Sequence, residues 1–229
     1  MTISPNERKL DWFPRLDPRS LPFKVSLQAP AAIFTTAKPR NRRWTRKAWL
    51  DQGREGACSG FGAAHVISAT PRSNVMDENM ARIIYLEAQH RDEWPGNQYE
   101  GSSVNGAMKA ARDMGLINEW WWATTREEID AALSHYGQVE IGVDWYTGMF
   151  RPDSEGFIHA TGSIEGGHAL ALGGRQRTAS GRVRYALDQS WGRDHGIDGT
   201  VYIWEDVLEL WLGSRSEFAL PRKKALVLS

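Results

Sequence analysis

The pattern of apolar residues changes at Gly137, and this change limits the fold more than any other feature of the 229-residue chain. Before Gly137, apolar residues recur at the spacing of helices. After it, short apolar or alternating stretches are separated by glycine-containing turns, as in strands. The sequence therefore predicts an α+β fold in which the helices come first and the strands follow.

Local signals place the individual elements. Ser102 or Ser103 can cap one helix that Gly115 ends, and Thr125 with Glu128 forms a capping box for the next. The helices are predicted over residues 57–68, 78–91, 104–114 and 126–136. The strands are predicted over residues 139–143, 169–172, 182–188, 201–204 and 217–220. Residues 1–35, rich in proline and charge, are predicted to form an extended arm.

The chain has one cysteine, Cys58, so no disulfide can form within it. A reducing, cytoplasmic compartment is the simplest location for such a chain, and a virus particle is the alternative left open. No apolar run approaches the roughly 18 residues of a membrane span, and the first residues lack the apolar core of a signal peptide. We therefore expect no contact with a membrane.

The formal net charge is zero, but the charge is unevenly distributed. Residues 1–50 carry eleven Lys and Arg against three Asp and Glu, with the densest basic run at Lys38–Lys47 around Trp44. This run could contact nucleic acid, or it could be a solvated arm that pairs with the acidic remainder of the chain. We favour the second interpretation, because a neutral chain gains little from counterion release. A protein partner on the arm stays open.

Eleven tryptophans are many for this length, and three of them are consecutive, at Trp120–Trp122. Such a cluster can be core, a cleft wall or an anchor for a partner. Packing in the core and between lobes is the favoured interpretation, and a partner or substrate surface is the alternative.

Cys58 has chemically suitable partners elsewhere in the sequence. Cysteine is nucleophilic as a thiolate, which the N-terminus of the helix predicted from residue 57 or 58 favours. His168 could hold the proton, and the amide oxygen of Gln189 could orient that imidazole. Attack on an amide carbonyl builds an oxyanion, which the side-chain N–H of Gln52 and the backbone N–H of Cys58 could stabilise. Each residue alone has an ordinary structural explanation; the ordered set indicates a nucleophile site.

The segments around these residues resemble those of papain-like cysteine peptidases, the family that includes the cathepsins. The resemblance extends from about residue 49 to about residue 220 and rests on four ordered motifs. The motifs are Gln52-Gly53 with Gly56 ahead of Cys58, Glu100-Gly101-Ser102-Ser103, Gly167-His168-Ala169, and Gln189-Ser190-Trp191-Gly192.

The resemblance implies a two-lobed fold with a peptide-binding cleft between a helical lobe and an antiparallel, barrel-like β lobe. It implies an extended basic N-terminal arm at 1–48, a helical lobe with the nucleophile at 49–137, and a β lobe with the histidine and a C-terminal tail at 138–229. The catalytic residues it implies are Cys58, His168, Gln189 and Gln52. The residues it implies for substrate binding are Gly101, Ser102, Gly167 and Trp191, with Trp191 also shielding the His168–Gln189 hydrogen bond from water.

The sequence departs from the family pattern at several points. Glu55 stands where the family has a cysteine, and Gln189 stands where it has the orienting asparagine. Glutamine offers the same oxygen on one more methylene, so it orients an imidazole only if the backbone retreats. Asp188 is adjacent but should point the other way along a strand. The residues before Cys58 are too few for the family's large inhibitory propeptide.

The implied function is that of a cysteine-type endopeptidase or related thiol hydrolase acting on peptide or isopeptide bonds, with a peptide or protein as substrate. The alternative is a weak or inactive protein of the same fold with a structural or binding role, for example in a virus particle. Gln189, the many tryptophans and the basic arm allow that alternative. The sequence predicts no cofactor, and the histidines show no metal-ligand spacing.

Overall fold

The computed structural model describes residues 9–12, 38–70, 74–92, 94 and 99–223. Within these ranges the chain forms helices mainly before Gly137 and strands mainly after it, as the sequence predicts. The helices are α1 (Cys58–Ala69), α2 (Glu78–Gln89), α3 (Val104–Asp113), α4 (Arg126–His135) and α5 (Glu205–Leu212). The strands are β1 (Arg42–Arg43), β2 (Glu119–Trp122), β3 (Val139–Tyr146), β4 (Ile164–Arg177), β5 (Val183–Asp188), β6 (Thr200–Trp204) and β7 (Glu217–Arg222).

The described strands form one antiparallel sheet in the order β2-β7-β3-β4-β5-β6, and β1 pairs with β4 off this path. Strand β4 is the longest, and His168 lies within it, opposite Val143 of β3. The strand predicted here, residues 169–172 just before Gly173-Gly174, is therefore too short at both ends. The two glycines lie at a register shift between Leu172 and Gly174, where a bulge continues the strand instead of ending it.

The first four helices follow their local signals. Ser103 accepts a hydrogen bond from the backbone of Gly106 at 2.9 Å and caps α3. Thr125 and Glu128 form the predicted capping box of α4. Helix α1 is buried along its whole length, between α2 and β4. The nucleophile candidate Cys58 thus begins a helix that is enclosed by the protein on all sides.

The interior contains two clusters of buried apolar side chains. One surrounds Phe61 and Met108 and joins helices α1, α2 and α3 to the face of the sheet. The other surrounds Trp145 and Leu187 and lies among the strands with α4 and α5. This arrangement agrees with a helical part and a β part, while the exact boundaries at residues 48 and 137 stay a prediction.

Strands β1 and β2 and helix α5 were not predicted from the sequence. Trp120–Trp122 belong to β2, which pairs with β7; Trp120 is buried, whereas Trp121 and Trp122 are half-buried. Helix α5 follows β6 directly, and it buries Val207, Leu208 and Trp211. The tryptophan triplet thus packs within the fold, as the favoured interpretation has it.

Most of the predicted N-terminal arm, residues 1–8 and 13–37, lies outside the described residues. The basic run that follows does not lie free: β1 pairs with β4, and Arg43 and Arg46 form ion pairs with Asp188. Two cations of the run therefore pair with an acidic residue of the same chain. None of the described helices is both long and apolar enough to cross a membrane.

Candidate active site

Cys58 is the first residue of α1, after Ala57, which provides no side-chain cap. The backbone N–H groups of the first helical turn have no acceptor within the helix, so they and the helix dipole favour an anion at this position. Cys58 is nevertheless fully buried. Burial raises the pKa of its thiol to about 12, although backbone hydrogen bonds from Ala169 and Asp11 act to lower it. In this conformation Cys58 is a neutral thiol.

His168 is oriented by Gln189. Its Nε2 lies 2.9 Å from Oε1 of Gln189, and both side chains are buried. Since an amide oxygen only accepts, Nε2 carries the proton and Nδ1 carries the lone pair. Among the residues that the structure describes, Nδ1 has no hydrogen-bond partner. The imidazole is thus held in the tautomer that accepts a proton at Nδ1.

Aromatic rings enclose the imidazole. Trp191 stacks on His168 with 4.7 Å between ring centroids, and Trp145 meets it edge-on at 4.8 Å. Burial lowers the pKa of His168 to about 4, opposed by the hydrogen bond to Gln189 and aided by the nearby His195. Trp191 therefore lies against the imidazole of His168, and its shielding of the hydrogen bond to Gln189 stays a prediction.

Gln52 lies next to the strand end that carries Gln189. Its backbone N–H donates to the carbonyl of Ser190 at 2.9 Å, and its neighbour Asp51 forms a bridge with Trp191. One N–H of its side-chain amide donates to the carbonyl of Glu55 at 2.9 Å. Because an amide nitrogen carries two N–H groups, a second donor remains at this buried position.

A short stretch from the N-terminal part of the chain, Lys9–Trp12, occupies the region between the helices and the sheet; we call it the cleft segment. The N–H of Trp12 donates to the carbonyl of Gly167 at 2.9 Å, and the carbonyl of Asp11 accepts from the N–H of Ser102 at 3.2 Å. Ser102 and Gly167 are both predicted to bind substrate. Their backbone groups are thus occupied by the protein's own chain.

The cleft segment fits closely over the nucleophile. A Cβ on Gly56 would lie 2.1 Å from Oδ2 of Asp11, so only glycine admits the carboxyl group there. Burial raises the pKa of Asp11, and Oδ2 has no hydrogen-bond partner among the described residues. Lys9 pairs with Glu100 at the outer end of the segment.

Trp12 anchors the segment at its inner end. The indole Nε1 donates to Oε2 of Glu217 at 2.8 Å, and the side chain is 2 % exposed. A Cβ on Gly142 would lie 2.2 Å from the same nitrogen, so the glycine makes room for the ring. Four residues ahead of Cys58 in the sequence, 9–12, thus cover the candidate site.

The predicted site residues are placed as follows. Gln52 and its neighbour Asp51 pair through the backbone with Ser190 and Trp191, which follow Gln189. His168 meets Gln189 through its side chain, and Cys58 meets the backbone of Ala169, the residue after His168. Gly101 differs, because its N–H donates to the hydroxyl of Tyr85 at 3.0 Å and its carbonyl accepts from Gln89 at 3.3 Å. Both of its backbone groups are used within the helical part.

Three residues that contact the candidate site, Asp11, Trp12 and Trp145, were not predicted from the sequence. Asp11 and Trp12 carry no periodic or motif signal that would place them here. Trp145 lies beyond the predicted end of its strand at residue 143, and its contact with His168 depends on the register of β3 against β4. Asp188 points away from His168, as strand alternation predicts, and contacts Arg43 and Arg46.

No group of three or more His, Cys, Asp or Glu side chains within the described part of the chain is arranged to hold a metal ion.

The sequence matches no protein-family model, and no curated protein is similar to it in sequence. The fold is similar to that of several solved structures. Xylellain, a cysteine protease from Xylella fastidiosa, aligns with a TM-score of 0.73 and 15% identity over 96% of this chain and 97% of xylellain. Digestive procathepsin L 3 of Tenebrio molitor larval midgut aligns with a TM-score of 0.64 and 13% identity over 82% of this chain and 71% of the other.

The bromelain protease from Ananas comosus, in complex with the E64 inhibitor, aligns with a TM-score of 0.52 and 14% identity over 82% of this chain and 100% of bromelain. At identities this low the similarity establishes the fold alone. The chain has the papain-like α+β fold, with helices packed against an antiparallel sheet.

Proposed function

We propose that the protein is a cysteine-type hydrolase that cleaves peptide or isopeptide bonds, with Cys58 as nucleophile and His168 as general base and acid. The observation that carries the proposal is the buried pair of His168 and Gln189, which holds Nε2 protonated and leaves Nδ1 as the proton acceptor. The fold, a thiol at a helix N-terminus and a donor amide at Gln52 support it.

In the first step, Sγ of Cys58 would attack the carbonyl carbon of the substrate while the thiol proton passes to Nδ1 of His168. The negative charge that develops on the carbonyl oxygen needs fixed donors. The second side-chain N–H of Gln52 and the backbone N–H of Cys58, which begins α1, are the donors assigned to it.

In the second step, the C–N bond breaks and the imidazolium of His168 gives its proton to the leaving amine, which leaves a thioester on Cys58. Water then attacks the thioester, with Nδ1 of His168 taking the water proton. Collapse of this intermediate releases the carboxylic acid and returns the proton to the sulfur. The hydrogen bond from Nε2 to Gln189 is kept throughout and stabilises the positive charge that the ring carries in between.

The substrate and the cleft segment compete for the same place. The backbone groups of Ser102 and Gly167, which we assign to substrate binding, are hydrogen-bonded to Asp11 and Trp12. We therefore propose that the described conformation is a resting state and that the segment must leave before peptides bind. A reducing compartment such as the cytoplasm suits the proposal, since the single thiol has to stay reduced.

The test is peptide hydrolysis by the full chain and by Cys58→Ser, followed by mass spectrometry on a mixed peptide library, together with labelling by iodoacetamide or an epoxide at pH 6. We expect cleavage that Cys58→Ser abolishes, and Cys58 labelling faster than that of free cysteine once the cleft segment is loosened, as by Trp12→Phe, which removes the bond to Glu217. His159→Gln is the control, because His159 is exposed and its ring bonds to Asp153 rather than to the site.

Two results together would refute the proposal. One is labelling no faster than free cysteine in a chain whose cleft segment has been loosened. The other is peptide turnover that Cys58→Ser does not reduce. The protein would then keep the fold for a structural or binding role.

A further inference from the structure

Asp188, the residue before Gln189, lies at the centre of a buried cluster of charged and polar side chains. Its carboxylate accepts hydrogen bonds from Arg43 and Arg46, with Nη1 of Arg43 at 3.0 Å and Nε of Arg46 at 3.1 Å. The hydroxyl of Thr200 and the amide of Gln138 donate to it at 3.1 and 3.2 Å. The side chain of Asp188 is completely buried, so every one of its partners comes from the protein.

Arg46 also bonds to the backbone that holds Gln189. Its Nη2 donates to the carbonyl of Gly199 at 2.7 Å, and its Nη1 donates to the carbonyl of Asp198 at 2.7 Å. The same carbonyl of Gly199 accepts the N–H of Gln189 at 3.0 Å. The guanidinium of Arg46 therefore links Asp188 to Gly199, the residue whose carbonyl accepts the N–H of Gln189.

A second anchor comes from the helix of the nucleophile. His65 lies two turns after Cys58 on α1, is buried, and hydrogen-bonds through its ring to the backbone of Gln189. The backbone of Gln189 is thus tied to Gly199 on one side and to the Cys58 helix on the other.

The side chain of Gln189 has few contacts of its own. Its Oε1 meets His168, while its Nε2 has no hydrogen-bond partner within the described part of the chain. Glutamine also has one more rotatable bond than asparagine, and each free rotamer weakens the hold on the imidazole. The placement of the amide therefore depends mainly on where the backbone of Gln189 is fixed.

We infer that Arg46, bound to Asp188, is a positioning residue for the hydrolysis proposed above: it fixes the backbone of Gln189 so that Oε1 meets Nε2 of His168. Only the expected effect on kcat rests on the proposed function; the expected effect on the orientation and tautomer of His168 does not. The simpler role, which the experiment has to separate, is to fasten residues 38–48 to the sheet.

The test variant is Arg46→Lys. Lysine keeps the positive charge beside Asp188, but a single ammonium cannot reproduce the planar fork that reaches Asp188, Asp198 and Gly199 together. The matched control is Arg175→Lys. Arg175 pairs with Asp130 at 3.0 Å, both side chains are less than 10 % exposed, and no described contact joins this pair to Gln189.

The primary readout is the ¹⁵N spectrum of His168 in histidine-labelled full-length protein, compared with that of His168→Ala for assignment. We expect one tautomer, protonated at Nε2, in the native chain and in Arg175→Lys, and a mixture of tautomers in Arg46→Lys. The second readout is peptide hydrolysis, where misplacing a reacting group by about 1 Å costs on the order of 100-fold. We expect kcat to fall at least tenfold in Arg46→Lys while KM changes less than twofold.

The outcomes separate the two proposals. A changed His168 spectrum in Arg46→Lys, with no hydrolysis by the native chain, would leave the positioning role intact and refute the enzyme. Hydrolysis by the native chain with unchanged spectrum and kcat in Arg46→Lys would overturn the positioning role alone. If Arg46→Lys does not fold, hydrogen exchange of the native chain decides: positioning requires the Gln189 N–H to exchange as slowly as the amides of β4, and fast exchange overturns it.

Discussion

Replacing Trp12 with phenylalanine should open the cleft segment without changing any residue of the proposed catalytic site. Trp12 donates its indole N–H to the buried carboxylate of Glu217 at 2.8 Å. Phenylalanine keeps an aromatic ring in the site between Gly142 and Gly167 but removes that donor. The carboxylate of Glu217 keeps a bond from the N–H of Val104 at 3.2 Å, so the variant loses one contact rather than the whole arrangement.

The size of the effect follows from the bond that is lost. A hydrogen bond to a charged group contributes about 2 kcal/mol. If the closed segment excludes all reagents from the fully buried Cys58, the labelling rate is proportional to the population in which the segment is open. A loss of about 2 kcal/mol raises that population by about 30-fold.

The assay is labelling by iodoacetamide at pH 7, followed by mass spectrometry of the intact chain. Cys58 is the only cysteine, so every added mass reports on this one site. Trp211→Phe is the matched control, because Trp211 is equally buried and donates its indole N–H to the carbonyl of Asp144 at 3.0 Å, away from the segment. We expect the rate to rise about 30-fold in Trp12→Phe and less than twofold in Trp211→Phe.

A rate for Trp12→Phe within a factor of two of the native chain would refute the idea that the segment controls access. An equal rise in both variants would also refute it, since exposure would then follow global unfolding.

Two buried ionisable groups give predictions about stability. Burial, with the nearby Glu217, raises the pKa of Glu140 well above its usual value, so Glu140 stays protonated in the folded chain but loses its proton in the unfolded chain above pH 4.5. The free energy of unfolding should therefore fall as pH rises from 4.5. Glu140→Gln should be more stable than the native chain in urea at pH 8 but not at pH 4. Burial lowers the pKa of His65 to about 4, so this residue alone should cost about 3 kcal/mol of stability as pH drops from 6.5 to 4, and the buried His168, whose pKa is lowered to the same value, should add a similar loss. His65→Asn should lose the part of the dependence that His65 contributes, whereas a substitution of the exposed His90 should keep all of it; an unchanged slope in His65→Asn would contradict the assignment.

Local signals in the sequence were sufficient to predict the first four helices and to single out the candidate site residues. Caps such as Ser103 and Thr125 act within one turn, so they can be recognised without knowledge of the fold. Strand β2 could not be recognised in this way, because its tryptophans pair with residues 219–222, about a hundred positions later. Helix α5 was different: Glu205 and Asp206 in its first turn and the spacing of Val207, Leu208 and Trp211 were available signals.

The cleft segment and the anchors of Gln189 were beyond prediction for another reason. Trp12 lies in the site because a pocket formed by Gly142, Gly167 and Glu217 admits an indole, and those residues are separated by tens of positions. Arg46 was recognised only as one member of a basic run, since its specific partners become visible only when β5 and β6 are paired. Charge composition indicated that the run could pair within the chain, but it could not identify Asp188.

The cleft segment also links access to the protonation state of the site. Burial is the largest cause of both the raised pKa of Cys58 and the lowered pKa of His168, so the closed site contains a neutral thiol and a neutral imidazole near pH 7. This arrangement avoids the several kcal/mol that a buried ion would cost. Opening would admit water and take the carboxyl group of Asp11 away from the sulfur, which favours the thiolate–imidazolium pair at the moment when Ser102 and Gly167 become free to bind a peptide. Gln189, whose described contacts do not involve the segment, would keep the imidazole oriented through that change.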